Sequence, residues 1–192
     1  MEDGSQPRAG AFGEERSRPA PLVPAGFDLP IVLGLDPGTQ VVGYGALILA
    51  ADGPRLLTAG VLRARARLPV FERLGILADA FDELLHLTRP TTVVIENAFT
   101  HRNPRTAIRL GEARGMVIAA AVRSGATIEE ISPSEAKRRV TGNGNAAKAQ
   151  VAAMVPRLVQ GLDVDLPEDA TDALALALAH ARRRDLDRAT GR

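Results

Sequence analysis

Residues 31–49 read IVLGLDPGTQVVGYGALIL, and the punctuation of this stretch decides the fold. A continuous apolar run, Ile31–Leu35, is cut at Asp36-Pro37-Gly38 and resumes as Val41–Leu49, the pattern of two short strands joined by a turn. Proline fixes φ and glycine accepts turn geometries that other residues resist, so the chain is expected to reverse there. A third strand fits Leu56–Leu62, after the turn Asp52-Gly53-Pro54, and completes an antiparallel meander. Asp36 thus closes a buried strand, where a carboxylate either initiates the turn or faces a ligand at the sheet edge.

Working outward, Phe71, Leu74, Leu77, Ala78, Phe81, Leu84 and Leu85 recur at helical spacing between Pro69 and Leu87, with charged residues between them. Thr92–Ile95 is a short β-branched run of the buried-strand type, and Glu96 follows it directly. A helix over Thr106–Arg123, with Ala and Gly positions that permit close packing, precedes a fifth strand at Thr127–Ile131. Beyond Ser132-Pro133 the pattern predicts a short helix containing Lys137, a loop at Thr141–Asn145, a helix over Ala146–Leu158 and a last helix from near Pro167 to about Arg184. The class is α/β. Residues 1–29 mix Gly, Pro, Ser and opposed charges without apolar periodicity and are expected to be a disordered extension, with one domain over 30–184 and a short tail at 185–192.

A chain of 192 residues is long enough for one ordinary core. It contains no cysteine, which removes disulfides, thiolate metal sites and cysteine nucleophiles and fits a reducing compartment, the cytoplasm. No apolar run reaches the roughly 20 residues that span a bilayer, and no signal-peptide core opens the chain, so no membrane partner is expected. The formal net charge of +1 implies no nucleic-acid partner by itself, but residues 99–148 carry nine basic groups against four acidic ones. Of the 24 basic residues only Lys137 and Lys148 are lysines.

Four acids carry the candidate chemistry. Magnesium and manganese take hard oxygen ligands, so a site for either is built from Asp and Glu. Asp36 and Glu96 each end a strand, while Asp169 and Asp172 are three apart on a predicted helix and share a face. One cluster of four would hold two ions about 3.5–4 Å apart, the arrangement that hydrolyses phosphodiesters. Each acid has a plainer explanation as well: Asp36 as turn initiator, Asp169 as a favourable charge in a first helical turn. After Glu96 comes Phe99-Thr-His-Arg-Asn-Pro-Arg105, an aromatic among cations, which is the physics of binding unstacked nucleic acid. Phe99 is either a wedge between bases or a local anchor, Arg102 and Arg105 are candidate phosphate contacts, and His101 is read as facing water.

Taken together, Leu33-Gly-Leu-Asp36-Pro-Gly-Thr39 with Gly43-Tyr-Gly45, Ile95-Glu96-Asn-Ala-Phe99 and Asp169-Ala-Thr-Asp172-Ala-Leu-Ala resemble the RuvC family of crossover-junction endonucleases. The likeness continues through Leu110-Gly-Glu-Ala-Arg-Gly115, Lys137, Thr141-Gly-Asn-Gly and Lys148-Ala-Gln-Val151, covering about residues 31–183. It implies a ribonuclease H-like fold with a five-stranded mixed sheet flanked by helices, and a homodimer that resolves a four-way Holliday junction by symmetric cuts in opposed strands. It implies Asp36, Glu96, Asp169 and Asp172 as ligands of Mg2+ or Mn2+, two ions per site, with Lys137 and Lys148 along the DNA near the scissile phosphate. By the same resemblance Phe99 stacks on a base near the crossover, the helix Thr106–Arg123 forms the dimer interface, and a RuvA and RuvB type branch-migration complex is a partner. Two other classes share part of the pattern. A junction-binding protein without chemistry would keep the surface, and the turn Gly34-Leu-Asp36-Pro-Gly-Thr39 is similar to the phosphate-binding turn of actin-like ATPases, which need a second such domain.

Overall fold

Residues 31–49 form two adjacent inner strands of the sheet. The computed structural model describes residues 20–97 and 103–190, with side chains as far as Arg184. Its strands are β1 (Ile31–Asp36), β2 (Val41–Ala50), β3 (Gly53–Arg63), β4 (Thr92–Glu96) and β5 (Thr127–Ile131), and its helices are α1 (Val70–Thr88), α2 (Pro104–Arg123), α3 (Pro133–Thr141), α4 (Lys148–Leu158) and α5 (Glu168–Thr190). The strand order is β3-β2-β1-β4-β5. β1 pairs antiparallel with β2 and β2 with β3, whereas β1–β4 and β4–β5 are parallel. The sheet is therefore mixed, and β1, β3, β4 and β5 all end at the same edge.

Side chains alternate across a strand, so a sheet covered on both faces needs apolar residues in both registers. β1 meets this demand. Ile31, Leu33 and Leu35 join Phe81, Leu84 and Leu85 of α1 and Val117 and Ala121 of α2 in one core layer, together with Val93 and Ile95 of β4. Val32 and Val94 face the other way into a second layer with Val140 of α3, Val155 of α4 and Leu174 and Leu178 of α5. Two helical layers thus enclose the sheet: α1 and α2 on one side, α3, α4 and α5 on the other.

Several bounds differ from the sequence pattern. Val23 is buried, Phe27 packs partly buried against the first core layer, and the Leu22 N–H donates to the Leu87 carbonyl at 2.9 Å, so chain before residue 30 covers the end of α1. These apolar residues are separated by Pro and Gly without a period, so no pattern marks them. At the other end α5 continues to Thr190 rather than stopping near Arg184. α2 starts at Pro104, two residues before Thr106, because the Asn103 side chain accepts from the Arg105 N–H at 3.0 Å and caps it, with proline at the first helical position.

Candidate active site

The acids converge because of strand register. Leu35 pairs with Ile95 across the parallel β1–β4 ladder, so the next residues, Asp36 and Glu96, emerge side by side at the sheet edge. Two bonds fix the exit of β4. The Asn97 N–H donates to the Ile131 carbonyl at 2.8 Å, and Arg114 of α2 donates through Nη1 to the Glu96 carbonyl at 2.5 Å while pairing with Glu130 at 2.7 Å. Arg114 was not among the candidates read from sequence. Its position held a signal: it stands three before Val117 and seven before Ala121, both buried, which places a charged residue on the inward side of an apolar helix.

Asp169 and Asp172 arrive on α5, which lies against β1 and β2 at backbone distance. A Cβ added at Gly34 would fall 1.9 Å from the Ala173 carbonyl oxygen, one at Gly43 would fall 2.1 Å from the Asp169 carbonyl oxygen, and one at Gly45 would fall 2.5 Å from Leu174 Cγ. Close approach is one of the uses of a residue without a Cβ. Gly43 is also the β2 partner of Asp36, so a single glycine separates the first acid from the third. The second half of α5 is anchored by a carboxylate on β5: Glu129 meets His180 Nδ1 at 2.7 Å, Arg183 at 3.0 Å and Arg139 of α3 at 3.4 Å. Burial alone would raise the Glu129 carboxyl, but the His180 hydrogen bond and the charges of His180 and Arg183 hold it below the usual range.

Asp36 and Glu96 are both perturbed by burial and by neighbouring acids. Burial, then the charges of Asp172, Asp169 and Glu96, push the Asp36 carboxyl up to about 6, against a smaller opposing pull from Lys148. Burial and Asp172 likewise raise Glu96, opposed by Lys137 and Lys148. Lys148, at the start of α4, holds its ammonium 2.6 Å from Asp172 and 2.5 Å from Glu168, and these partners raise its pKa. Glu168 is a second group that sequence reasoning passed over; it is exposed and accepts from Lys148, which lowers its pKa. Both lysines therefore act on the acids. Arg105 is exposed at the first turn of α2. Phe99 and Arg102 lie outside the described residues.

As the side chains stand, the described residues contain no group of three carboxylates or imidazoles closed around one point. The donor set nevertheless fits a divalent ion. Four half-buried carboxylates at one edge are a set whose charge a hard cation would offset, and hard oxygen donors are what magnesium and manganese take. No helix among the described residues is long and apolar enough to cross a membrane.

Comparison with known proteins agrees with this geometry. The sequence model of the family described as Crossover junction endodeoxyribonuclease RuvC matches residues 32–180. The crossover junction endodeoxyribonuclease RuvC of Alkalilimnicola ehrlichii is 42% identical over 158 residues, 82% of this chain and 94% of that protein. The protein of the same description from Halorhodospira halophila is 43% identical over 155 residues, covering 80% and 90% respectively. Among solved structures, RuvC of T. thermophilus in complex with a Holliday junction substrate superposes with a TM-score of 0.75 at 34% identity, over 82% of this chain and 96% of that one. The yeast mitochondrial Holliday junction resolvase Ydc2 shares the fold, with a TM-score of 0.60 at 16% identity over 80% of this chain and 78% of that one.

Proposed function

The chain belongs to the RuvC family of crossover junction endodeoxyribonucleases, and on that premise we propose how its residues resolve a four-way DNA junction. Asp36, Glu96, Asp169 and Asp172 are the metal ligands, for Mg2+ or Mn2+ and for two ions. The observation that carries this assignment is the meeting of the four acids at one sheet edge, where burial, and then the charges of Asp172, Asp169 and Glu96, push Asp36 up to about 6. When bound, the ions supply Lewis-acid stabilisation of the phosphoryl oxygens and lower the pKa of the attacking water.

The chain's own groups do the rest. Lys148 leaves its carboxylate partners for the DNA and, with Lys137, neutralises phosphate charge beside the scissile bond; a compact ammonium on a flexible stem suits that task. Phe99, supported by Arg102 and Arg105, stacks on a base at the crossover and holds the strand open. Water displaces the 3′ oxygen, leaving 5′-phosphate and 3′-hydroxyl ends that a ligase can seal. Symmetric cuts need two sites, hence a homodimer, and α2 supports it: Ile108 and Val122 are exposed, and Gly111 and Gly115 have nothing within 4 Å of an added Cβ. These four positions lie on one helical face, free for a second copy to approach closely. The setting is the cytoplasm, with a RuvA and RuvB type complex moving the branch point to a cleavable sequence.

The test incubates the protein with a synthetic four-way junction and with linear duplex of matching sequence, with and without magnesium or manganese, and maps cuts at nucleotide resolution. Paired symmetric nicks on the junction, only with metal, are expected. Asp36→Asn and Asp172→Asn should bind the junction and not cut it. Normal cleavage by either variant would remove the assigned ligands.

A further inference from the structure

The edge that carries the acids has a second charged feature, at the end of β3. β3 runs parallel to β1, so its last residue, Arg63, reaches the same edge; Arg63 pairs with Val41, and the Ala64 N–H donates to the Gln40 carbonyl at 2.9 Å, in the turn that follows Asp36. Arg65 and Arg67 come next. All three arginines are exposed, and among the described residues none makes a side-chain hydrogen bond or ion pair. An unpaired run of guanidinium groups beside a nuclease site is what a phosphate backbone attracts.

The segment that presents them is built. The Leu68 N–H closes a turn onto the Arg65 carbonyl at 3.1 Å, and Arg73 of α1 donates through Nη1 to the Ala66 carbonyl at 3.1 Å. Arg73 is only 6% exposed and its Nε has no hydrogen-bond partner; no carboxylate pairs with it among the described residues. A buried cation without an acid partner is costly, and here it props the arginine turn and adds a fourth positive charge behind it. Resting on the junction-resolving function above, we propose that Arg63, Arg65 and Arg67 form a strip that grips the phosphate backbone of the DNA arm leaving the active site on the β3 side. Its contacts are to backbone, so it positions the arm without reading sequence.

Counterion release provides the test. In chelator, so that no strand is cut, the affinity for a synthetic four-way junction is measured against salt concentration for the wild type, each single Arg→Ala variant, the triple variant and Arg55→Ala. Arg55 sits at the opposite end of β3, paired with Asp52, and serves as control. Each neutralised phosphate contributes a slope of about −0.9 in log K against log salt. Single variants should lose about 0.9 of slope per engaged protomer and the triple variant about 2.7, with phosphates of one arm losing footprint protection and Arg55→Ala leaving the slope unchanged. A triple variant with the wild-type slope and footprint overturns the strip. A wild-type protein that ignores the junction altogether would instead sink the function on which the strip rests.

Discussion

Gly43→Ala tests whether the site is set by the spacing between α5 and the sheet. The added Cβ would stand 2.1 Å from the Asp169 carbonyl oxygen and 2.9 Å from the Asp169 Cβ, whereas ordinary contact begins near 3.4 Å. Relief therefore requires about 1.3 Å of movement (3.4 minus 2.1) between β2 and the first turn of α5. That turn carries one assigned ligand and the next turn carries another, while Asp36 on β1 stands opposite Gly43 itself in the β1–β2 ladder. Overpacking of this kind costs about 1–3 kcal/mol of stability, which for a chain of this size lowers Tm by roughly 2–12 °C. Misplacing reacting groups by about 1 Å costs on the order of a hundredfold in rate. The assay is single-turnover cleavage of a four-way junction at saturating magnesium, with junction affinity and Tm measured on the same protein. A rate loss near a hundredfold with affinity retained is expected. Gly45→Ala is the comparison: its Cβ meets the Leu174 side chain at 2.5 Å and the Leu174 Cα at 2.9 Å, five residues past Asp169 and two past Asp172, so Tm should fall with a much smaller rate loss. Cleavage by Gly43→Ala within twofold of wild type, or an equal loss in Gly45→Ala, would refute the reasoning.

Asp36 sets a pH dependence of stability. Its folded pKa, about 6, lies above the ordinary 3.8, so the folded state binds the proton more tightly and stability falls as pH rises from 3.8 through about 6. The upper bound is roughly 3 kcal/mol, reduced to about 1–2 by solvent screening; in chelator, Asp36→Asn should therefore melt a few degrees above wild type at pH 7.5 and show no advantage below pH 3.8. Equal melting temperatures at both pH values would contradict it. Arg114→Ala, which frees the Glu96 carbonyl, should raise the manganese concentration needed for half-maximal binding about tenfold, with Arg114→Lys restoring part of it; a lower Tm with unchanged manganese binding would reduce Arg114 to a structural role. Phe99→Ala should slow junction cleavage at least tenfold while manganese binding stays at the wild-type level, and unaltered cleavage would count against the wedge.

What could be read from the sequence was local. An apolar run stopped by Asp36-Pro37-Gly38 marks a strand and its end, Thr92–Ile95 followed by Glu96 marks another, and spacing of three puts Asp169 and Asp172 on one helix face. These signals need only the periods of strand and helix. What stayed hidden depends on contacts between distant segments. Gly43 is an unremarkable strand glycine until α5 is laid across it, some 126 residues later in the chain (169 minus 43). Glu168 looks like any acid in a first helical turn until Lys148 is brought to it. Arg63, Arg65 and Arg67 fell outside the basic region 99–148, and only the parallel direction of β3 and β1 moves them to the edge that holds the acids.

The manner in which the acids are held follows from their charge. Four carboxylates at one edge repel, and the lift of Asp36 to about 6 shows that burial and repulsion both act on it. Side-chain hydrogen bonds among the acids cannot hold such a cluster together, since ionised carboxylates only accept. The restraint has to come from backbone and core. Asp36 and Glu96 are fixed by the β1–β4 ladder and by Arg114 at the Glu96 carbonyl. Asp169 and Asp172 are fixed by α5, which buries Leu174 and Leu178 against the sheet and is pinned beyond them by Glu129. Each fully buried leucine contributes about 1.5–3 kcal/mol, enough for two to exceed the screened cost of Asp36. The glycines under α5 let that apolar attraction act at backbone distance. A wider spacing would relieve the repulsion and open the ligand set at once, so the stability of α5 on the sheet and the competence of the site for a divalent ion are a single property of this fold.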